Sequence, residues 1–390
     1  FYSTNSLSRE CLNYESGKIR NIHYGDIHMK FPTILDVQKE IIPFINKDID
    51  TSKIKEDSYC KDGDLIIADA SEDYNDIGKA IEIENIAHDK ILAGLHTILA
   101  RDTKGVTAKR FKGYLLLNDA VRKQIKILAA GAKVLGISKT NLVKVTVKLP
   151  SKEEQEKIAN FLTKVDKLIE KQDEKVSNLE QYKKGMMQKV FSQKIRFKKD
   201  DGGEYPGWEK KKITDIAHTF IGLVTTMTEN YVEDGVKLIR NSDIKENKVV
   251  MDKLINLDKQ FAEKNESRYF KLGDVVTVHT GDIGTSAVIE DELVGALGFA
   301  TINTRPIKEV VNSYYLAHYF NSYDNKKYAI RMSTGDGRSN YNLKDFDHCK
   351  VKLPCLEEQT KIVNFLSNID SIVEKEKEKV EELRLWKKGL

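Results

Sequence analysis

The sequence lacks the motifs that mark most enzymes and membrane proteins. Its six prolines all stand alone, so the N-P-P-[FY]-like motif of amino-methyltransferases is absent. It contains no G-x-x-x-x-G-K-[ST] phosphate loop, no G-x-G-x-x-G turn, and neither G-x-S-x-G nor H-E-x-x-H. No apolar run approaches the ~20 residues that a membrane-spanning helix needs. These absences argue against an enzyme of a common class and against a membrane protein.

Cysteine is scarce, and its placement predicts no metal site. The four cysteines form no C-x-x-C pair, and no histidine cluster accompanies them. We therefore expect buried free thiols in a reducing cytoplasm. The chain also begins without Met and without a signal-peptide pattern, which we interpret as a missing start rather than as secretion.

Charge is unevenly distributed, although the net charge is only +4. Residues 1–100 carry 11 Lys and Arg against 18 Asp and Glu, whereas residues 101–150 carry 12 against 2. Clustered cations favour a polyanionic partner, because each neutralised phosphate releases counterions. The alternative is a basic surface that is merely solvated.

An internal repeat organises the chain. Residues 148–186 and 352–390 align without gaps at an offset of 204, with about 21 of the 39 positions identical. Each segment predicts one long helix, because Pro150 and Pro354 precede a helical pattern and a pair of glutamates follows. At ~1.5 Å per residue, about 40 residues make a rod of roughly 60 Å.

Apolar residues in both segments follow a heptad spacing, which predicts a coiled coil in which the two helices pack on each other or on a partner. The pattern is interrupted at Gln172 and Lys175 in the first copy and at Glu376 and Lys379 in the second. The alternative is that each helix packs flat on its own domain. The predicted contact residues are Ile158, Phe161, Val165, Leu168, Leu179, Tyr182, Ile362, Phe365, Ile369, Ile372, Leu383 and Trp386.

The remaining segments predict two mixed α+β domains. β-Branched runs broken by Gly-Asp turns predict short strands, and residues 113–130 and 309–331 predict helices. Residues 208–219 have no counterpart before Phe1, so we expect the first domain to lack its opening strand. The predicted organisation is domain 1 at 1–147, a long helix at 148–197, a linker at 198–206, domain 2 at 207–351 and a long helix at 352–390.

Polar clusters in corresponding places of the two domains favour DNA recognition. The Gly-rich loop at 333–342 combines Arg, Asn and Tyr, and a related loop spans 131–142. Arginine can pair with a guanine edge and asparagine with adenine, while an ordinary surface role remains open for each residue. The candidate DNA contacts are Arg20, Asn21, Tyr24, Lys109, Arg110, Lys133, Lys139, Asn141, Arg240, Asn241, Ser242, His279, Thr280, Arg338, Ser339, Asn340 and Tyr341.

No catalytic constellation is predicted. His279 and Asp282 have residue types that suit acid–base chemistry, but the other unit has Asp69-Ala70-Ser71 in the similar place. A catalytic role that one copy cannot perform is therefore not favoured. His96, in an apolar strand-like segment, is interpreted as a core histidine.

Two different domains, each followed by a K-L-P-x-x-E-E-Q-x-K-I-x-x-F-L helix, resemble the specificity subunit of type I restriction–modification systems. From its first leucine onward the motif spans 149–162 and 353–366, and the Tyr-Pro-Gly-Trp-Glu opening at 205–209 is typical as well. The resemblance implies that each domain reads one half of a bipartite double-stranded DNA site. It also implies that the two helices form an antiparallel coiled coil, which sets the spacer between the halves.

The resemblance also implies which partners supply the chemistry. Two methyltransferase subunits would dock on the helices, and restriction subunits would join the full complex. S-adenosylmethionine, ATP and Mg²⁺ would belong to those partners, so no cofactor, metal or catalytic residue is assigned to this chain. A coiled-coil scaffold that binds proteins without reading DNA is the alternative, and a cryptic nuclease is a third hypothesis.

Overall fold

The computed structural model describes residues 1–225, 227–333 and 340–389. The chain divides into two compact units. The first contains Phe1–Lys171 together with the residues from Leu383 onward, and the second contains Gln172–Glu382. Each unit therefore combines one mixed domain with segments of both long helices.

Domain 1 contains two four-stranded sheets, each with one parallel strand pair. Alternating apolar side chains such as Ile66, Ile81 and Leu99 are buried between the sheets and the helix Tyr24–Met29. The first sheet has the order Ile34–Asp36, Ala80–Glu84, Leu65–Ala68, Thr97–Ala100. The second has the order Leu12–Asn13, Phe44–Ile45, Ile19–Ile22, Lys90–Ala93.

Short helices and one further strand pair complete domain 1. Strand Leu135–Gly136 pairs with Ala70–Ser71, and a second apolar cluster around Ile125 packs helix Asp119–Leu128 on the first sheet. The α-helices are Tyr24–Met29, Phe111–Leu115, Asp119–Leu128 and Lys139–Leu142, and the 3-10 helices are Arg9–Cys11 and Glu56–Ser58.

Domain 2 repeats the two four-stranded sheets. The first has the order Ala217–Ile221, Thr301–Pro306, Val275–Val278, Ser286–Val288. The second has the order Tyr231–Val232, Ile255–Leu257, Val236–Arg240, Leu297–Phe299. Two smaller ladders join Ile244–Lys245 to Lys248–Val249 and Glu209–Lys212 to Lys350–Leu353.

The core of domain 2 continues into the long helices. Tyr315, Phe320 and Phe346 are fully buried and pack with Val190 and Ile362 in one apolar cluster. The α-helices are Ile213–Ile216, Lys259–Glu263, Ser313–Phe320, Tyr323–Met332 and Leu343–Phe346, and the 3-10 helices are Thr228–Asn230, Asn241–Asp243, Glu266–Arg268 and Asp291–Leu293.

The mixed α+β fold with two long helices confirms the predicted fold class. Strand Glu209–Lys212 opens domain 2 and pairs with Lys350–Leu353. Residues 146–149, which correspond to 350–353, form no strand in domain 1.

The two long helices are Lys152–Phe191 and Leu356–Gly389. In the second helix the buried seam is Ile362, Leu366, Ile369, Val373, Glu376 and Val380, at alternating spacings of four and three residues. Val165 and Val176 are buried at the matching places of the first helix. The interruption predicted at Glu376 is thus part of a continuous heptad seam.

The buried seam includes only part of the predicted contact stripe, because it follows the neighbouring diagonal of the helix surface. Ile362, Ile369 and Val165 are buried as predicted. Ile158, Leu179, Phe365 and Leu383 are half-buried. The rings of Phe161 and Trp386 contact each other across the two helices, with 6.0 Å between their centres. These two residues and the remaining predicted positions are 40–52% exposed: Phe161, Leu168, Tyr182, Ile372 and Trp386.

Side-chain contacts between the long helices follow an antiparallel order within the second unit. Gln172 Nε2 donates to the Glu376 carboxylate, and Lys183 pairs with Asp370. Lys379, Lys175 and Gln172 together hold the pKa of Glu376 at about 2. In the first unit Lys387 pairs with Asp166. Since residues 183 and 370 correspond to 387 and 166 at the repeat offset, both units form the same ion pair.

All four cysteines are free thiols. Cys60 and Cys349 are buried as expected, and burial raises the pKa of Cys349 to about 12. Cys11 and Cys355 are only half-buried, which corrects the expectation that all four are buried. No helix in the described ranges combines the length and apolar character needed to cross a membrane.

Candidate nucleic-acid interface

In domain 2 a polar chain forms where strand Val275–Val278 ends. The backbone N–H of His279 donates to Asn241 Oδ1 at 2.8 Å. His279 Nδ1 lies 2.7 Å from Thr280 Oγ1, which in turn donates to Asn340 Oδ1 at 2.7 Å. The structure therefore brings four of the predicted site residues together.

The hydrogen-bond pattern defines which groups of this chain remain available. Because the single Thr280 hydroxyl proton goes to Asn340, His279 Nδ1 must be the protonated nitrogen of its ring. Burial lowers the pKa of His279, which favours the neutral ring. Nε2 of His279 then remains an acceptor and the amide group of Asn340 a donor, a pairing that suits the edges of bases.

Domain 1 has a different polar pair at the corresponding strand end. Asp69 directly follows strand Leu65–Ala68, as His279 follows strand Val275–Val278. The Asp69 carbonyl accepts a hydrogen bond from Ile137 N at 2.8 Å, and the His279 carbonyl accepts one from Tyr341 N at 3.0 Å. Asp69 Oδ1 lies 3.2 Å from His96 Nδ1. The same backbone position thus presents a carboxylate in one domain and an imidazole in the other.

His96 is a surface residue, so the interpretation as a core histidine is wrong. Its side chain is 52% exposed and its φ is +52°. Ala300 has a φ of +49° at the corresponding place of domain 2. Left-handed backbone in non-glycine residues costs energy and occurs often at functional sites. Here the turn directs the imidazole outward beside Asp69.

An open cleft of about 410 Å³ lies beside the Asp69–His96 pair and is also lined by Asn5 and Thr97. Tyr24, a predicted contact, is half-buried with its ring centre 5.3 Å from that of His96. This part of domain 1 combines an aromatic ring with a donor and acceptors around a concave surface.

Arg20 and Arg240 are held by their own domains. Arg20 Nη1 donates to the Val37 carbonyl and the guanidinium stacks over Phe44, 5.3 Å from its ring centre. Arg240 makes a two-pronged pair with Asp243 at 2.9 Å on both sides. Both arginines therefore have partners within their own domains, and their side chains are partly exposed.

Two predicted contacts are corrected because their side chains are inaccessible. Asn21 is fully buried and exchanges hydrogen bonds with Asn5. Tyr341 is 1% exposed and packs edge-on against Phe346, and burial raises the pKa of its hydroxyl well above 10. Both residues belong to the interior of their domains.

Part of the basic stretch forms ion pairs with the acidic segment before it. Arg110 makes a two-pronged pair with Glu84 at 2.7 and 3.1 Å, and Lys109 lies 3.8 Å from the same carboxylate. Lys112 pairs with Glu82. The uneven charge along domain 1 therefore supplies internal ion pairs as well as a basic surface.

The other predicted loop residues lie at the surface. Lys133 and Ser242 are exposed, and Lys139 donates to the Tyr2 carbonyl. Asn141 is held by the Leu128 carbonyl and accepts from Lys144. Arg338 and Ser339 lie outside the described residues.

Sequence reasoning missed the role of Gln155 and Gln359 in the repeated E-E-Q motif. Each is about 1% exposed. Gln155 Oε1 accepts from the backbone N–H of Ala108, and Gln359 Oε1 accepts from that of Asn312, both at 2.8 Å. The two pairs are separated by the repeat offset, so each glutamine ties its helix to its own domain in the same way.

Within the described ranges no group of His, Cys, Asp or Glu is arranged to hold a metal ion. A polar strand end and a long helix with a buried glutamine occur in both domains. The comparisons with known proteins assign the class.

The chain belongs to the family described as the type I restriction modification DNA specificity domain, which matches it twice, at residues 25–181 and 205–384. This result confirms the predicted specificity subunit, a non-catalytic class of protein. The chain is 26% identical over 273 residues to the type I restriction enzyme MjaVIII specificity subunit of Methanocaldococcus jannaschii, covering 67% of this chain and 64% of that one. It is 24% identical over 132 residues to the EcoBI specificity subunit of Escherichia coli, covering 34% and 28%. The chain thus spans less than two thirds of the length of these relatives.

Two solved structures share the fold. One comes from work on complex assembly and conformational transition of the type I R-M system, with a TM-score of 0.60, 14% identity and coverage of 95% of this chain and 89% of that one. The other is the type I S subunit from M. genitalium, with a TM-score of 0.52, 14% identity and coverage of 99% and 90%.

Proposed function

We propose that this chain reads both halves of a bipartite, asymmetric DNA target, one half with each domain. The observation that carries the proposal is the pair of equivalent strand ends. Domain 1 presents Asp69 with His96, and domain 2 presents His279, Thr280 and Asn340. Equivalent positions with different donors and acceptors suit two readings of different sequence.

The long helices set the distance between the half-sites and dock two methyltransferase subunits. Exposed apolar side chains on both helices support docking, because large apolar and aromatic groups left in water are typical of protein interfaces. These side chains are Leu168, Tyr182 and Ile372, together with the exposed parts of Phe161 and Trp386, whose rings contact each other. S-adenosylmethionine, ATP and Mg²⁺ act in the methyltransferase and restriction subunits of the complex.

Methylome sequencing of a host with and without this gene tests the function. The gene should produce one bipartite methylated motif. Replacing His279 and Asn340 by Ala should abolish or alter only one half of that motif, and replacing Asp69 and His96 only the other. If either pair of substitutions changes both halves of the motif, the assignment of one half to each domain is contradicted. If the gene produces no methylated motif at all, the protein-binding scaffold is favoured.

A further inference from the structure

One carboxylate on the first long helix joins three elements of the first unit. Asp166 Oδ2 accepts from the hydroxyl of Tyr114, which lies on the domain helix Phe111–Leu115, at 2.8 Å. Its other oxygen, Oδ1, pairs with Lys387 of the second long helix at 2.5 Å. The domain, its own helix and the opposite helix therefore meet at Asp166.

The second unit repeats the junction at Asp370. This carboxylate pairs with Lys183 of the first long helix and accepts from Asn247 Nδ2 at 3.1 Å. Asn247 lies in the turn between strands Ile244–Lys245 and Lys248–Val249, with a φ of +60°. His318 lies 3.1 Å from Asn247 Nδ2 through its Nδ1 and 3.4 Å from Ser367 Oγ through its Nε2.

The helix side of the junction is the same in both units, whereas the domain side differs. Asp166 and Asp370 correspond at the repeat offset, as do Lys387 and Lys183. Domain 1 reaches its aspartate with the phenol of Tyr114, and domain 2 with the amide of Asn247. His318, which corresponds to Tyr114, lies beside that amide and makes no hydrogen bond to Asp370 in the described residues. Two different domains have thus arrived at the same aspartate by different donors.

The junction is partly shielded from solvent. The side chains of Asp166 and Lys387 are 28% and 24% exposed, and those of Asp370 and Lys183 are 29% and 13% exposed. Partly buried ion pairs are screened less by salt than exposed ones, and charge-assisted hydrogen bonds fix direction more strongly than neutral ones.

We propose that Asp166 and Asp370 are positioning residues that fix the orientation of each recognition domain on the helix pair and thereby the length of spacer that the complex accepts. Gln155 and Gln359 tie each domain to its own helix only. The aspartates add a contact with the opposite helix. They therefore determine the orientation of each domain about the glutamine that attaches it to its own helix. The inference rests on the proposed function, because it is read out through a bipartite target.

The test uses the full chain assembled with its methyltransferase subunits. Methylation rates are measured on duplexes that carry both half-sites with the preferred spacer, or with one base pair fewer or more. Tyr114→Phe removes only the hydroxyl that reaches Asp166, while Asp166→Asn and Asp370→Asn weaken both arms. We expect the ratio of preferred to altered spacer to fall about fivefold in each, the factor of one net hydrogen bond, with the same half-site sequences.

Tyr319→Phe is the matched control. Its hydroxyl donates to the Lys350 carbonyl at 3.0 Å inside domain 2 and does not contact Asp370. This variant should keep the wild-type spacer ratio. Thermal unfolding of every variant shows whether a lost hydroxyl has merely lowered stability.

An unchanged spacer ratio in Tyr114→Phe, Asp166→Asn and Asp370→Asn would overturn the inference while leaving the two-reader function intact. An equal fall of the spacer ratio in Tyr319→Phe would overturn the inference as well. Loss of a hydrogen bond anywhere in a domain would then be enough to weaken the spacer preference. A wild-type complex that methylates a bipartite site with no spacer preference would overturn both this inference and the proposed setting of the spacer.

Discussion

At the scale of single residues, each domain depends on one buried arginine–aspartate pair. Arg101 makes two hydrogen bonds to Asp64 at 2.8 and 2.6 Å and a third to the Tyr59 carbonyl. Arg305 makes the same set with Asp274 and the Tyr269 carbonyl. The aspartates are 1% exposed. The pairs hold the turn before one strand to the end of its neighbour.

Asp274→Asn should destabilise domain 2 by about 3 kcal/mol, because it leaves the Arg305 charge without its buried partner. Urea unfolding followed by circular dichroism measures the change. Asp200→Asn is the control, since Asp200 is 99% exposed where it pairs with Lys361 and its loss should leave the unfolding midpoint unchanged. Equal midpoints for wild type and Asp274→Asn would refute a stabilising role for the pair.

His318 makes the stability of the chain depend on pH. Burial lowers its pKa from 6.5 to about 4. The unfolded chain therefore binds more protons than the folded chain between these values, and stability falls as pH falls from about 6.5 to about 4. The loss attributable to this ring should reach about 3 kcal/mol at most.

Comparing urea unfolding of wild type and His318→Asn at pH 7, 5.5 and 4 isolates this contribution. Wild type should lose more stability than the variant across the window. Parallel curves for the two proteins would show that His318 has the same pKa in the folded and the unfolded chain.

Residue roles were only partly predictable from the sequence. The repeated motifs drew attention to His279, Thr280 and Asn340, which the structure brings together in one hydrogen-bonded chain. The same argument selected Asn21 and Tyr341, which are buried. A repeated asparagine looks alike in sequence whether it satisfies a backbone group inside the fold or faces a ligand, so accessibility decides the role.

At the scale of elements, the attachment of helix to domain rests on a buried glutamine. Gln359→Leu leaves the Asn312 N–H and the Val310 carbonyl without their partner, and an unsatisfied buried polar group costs about 1–3 kcal/mol. We expect domain 2 to unfold at lower denaturant. Gln155→Leu should affect domain 1 by a similar amount, because its contacts are the same. A loss from one variant only would mean that the two attachments are not equivalent.

The helix pair predicts how the DNA spacer responds to helix length. Inserting seven residues after Gln172 and after Glu376 preserves the heptad seam and adds roughly 10 Å, or about three base pairs of DNA. Methylome sequencing should then report the same half-sites with a longer spacer. Inserting seven residues in one helix alone is the control, since it leaves the seam unmatched. An unchanged spacer after both insertions contradicts the spacing role.

The helices were predicted more accurately than their contact surface. Proline, paired glutamates and a long apolar period defined both helices in the sequence. The heptad spacing of apolar residues fits two adjacent rows on the surface of the second long helix. One row runs through Phe365 and Ile372, and the other through Leu366 and Val373. Only the second is buried, because packing against a partner selects one diagonal and sequence spacing fits both.

At the scale of the whole molecule, DNA binding should depend on salt through exposed lysines. Lys133 is exposed beside the Leu135–Gly136 strand of domain 1. Lys133→Gln should reduce the slope of log affinity against log salt concentration by about 0.9, the effect of one phosphate contact. The reduction should be the same on target DNA and on DNA with scrambled half-sites. An unchanged slope would remove Lys133 from the proposed interface.

The overall plan was the most predictable feature of the molecule. The 204-residue offset predicted two domains and two helices, and the structure contains them. The charge imbalance of domain 1 was less informative, since Arg110 and Lys112 prove to neutralise Glu84 and Glu82. Linear charge counts do not distinguish internal pairs from a basic surface, whereas a long gapless repeat directly indicates a duplicated structural unit.

The two corresponding ion pairs, Lys183–Asp370 and Lys387–Asp166, constrain the evolution of the helix sequences. Each helix copy supplies an aspartate to one pair and a lysine to the other, so a charge reversal in one copy is harmful until the second copy compensates. A domain, by contrast, needs to bring only one donor to an aspartate and one backbone N–H to a glutamine. We therefore expect the two helix sequences to change together during evolution, while the DNA-reading surfaces of the two domains diversify independently.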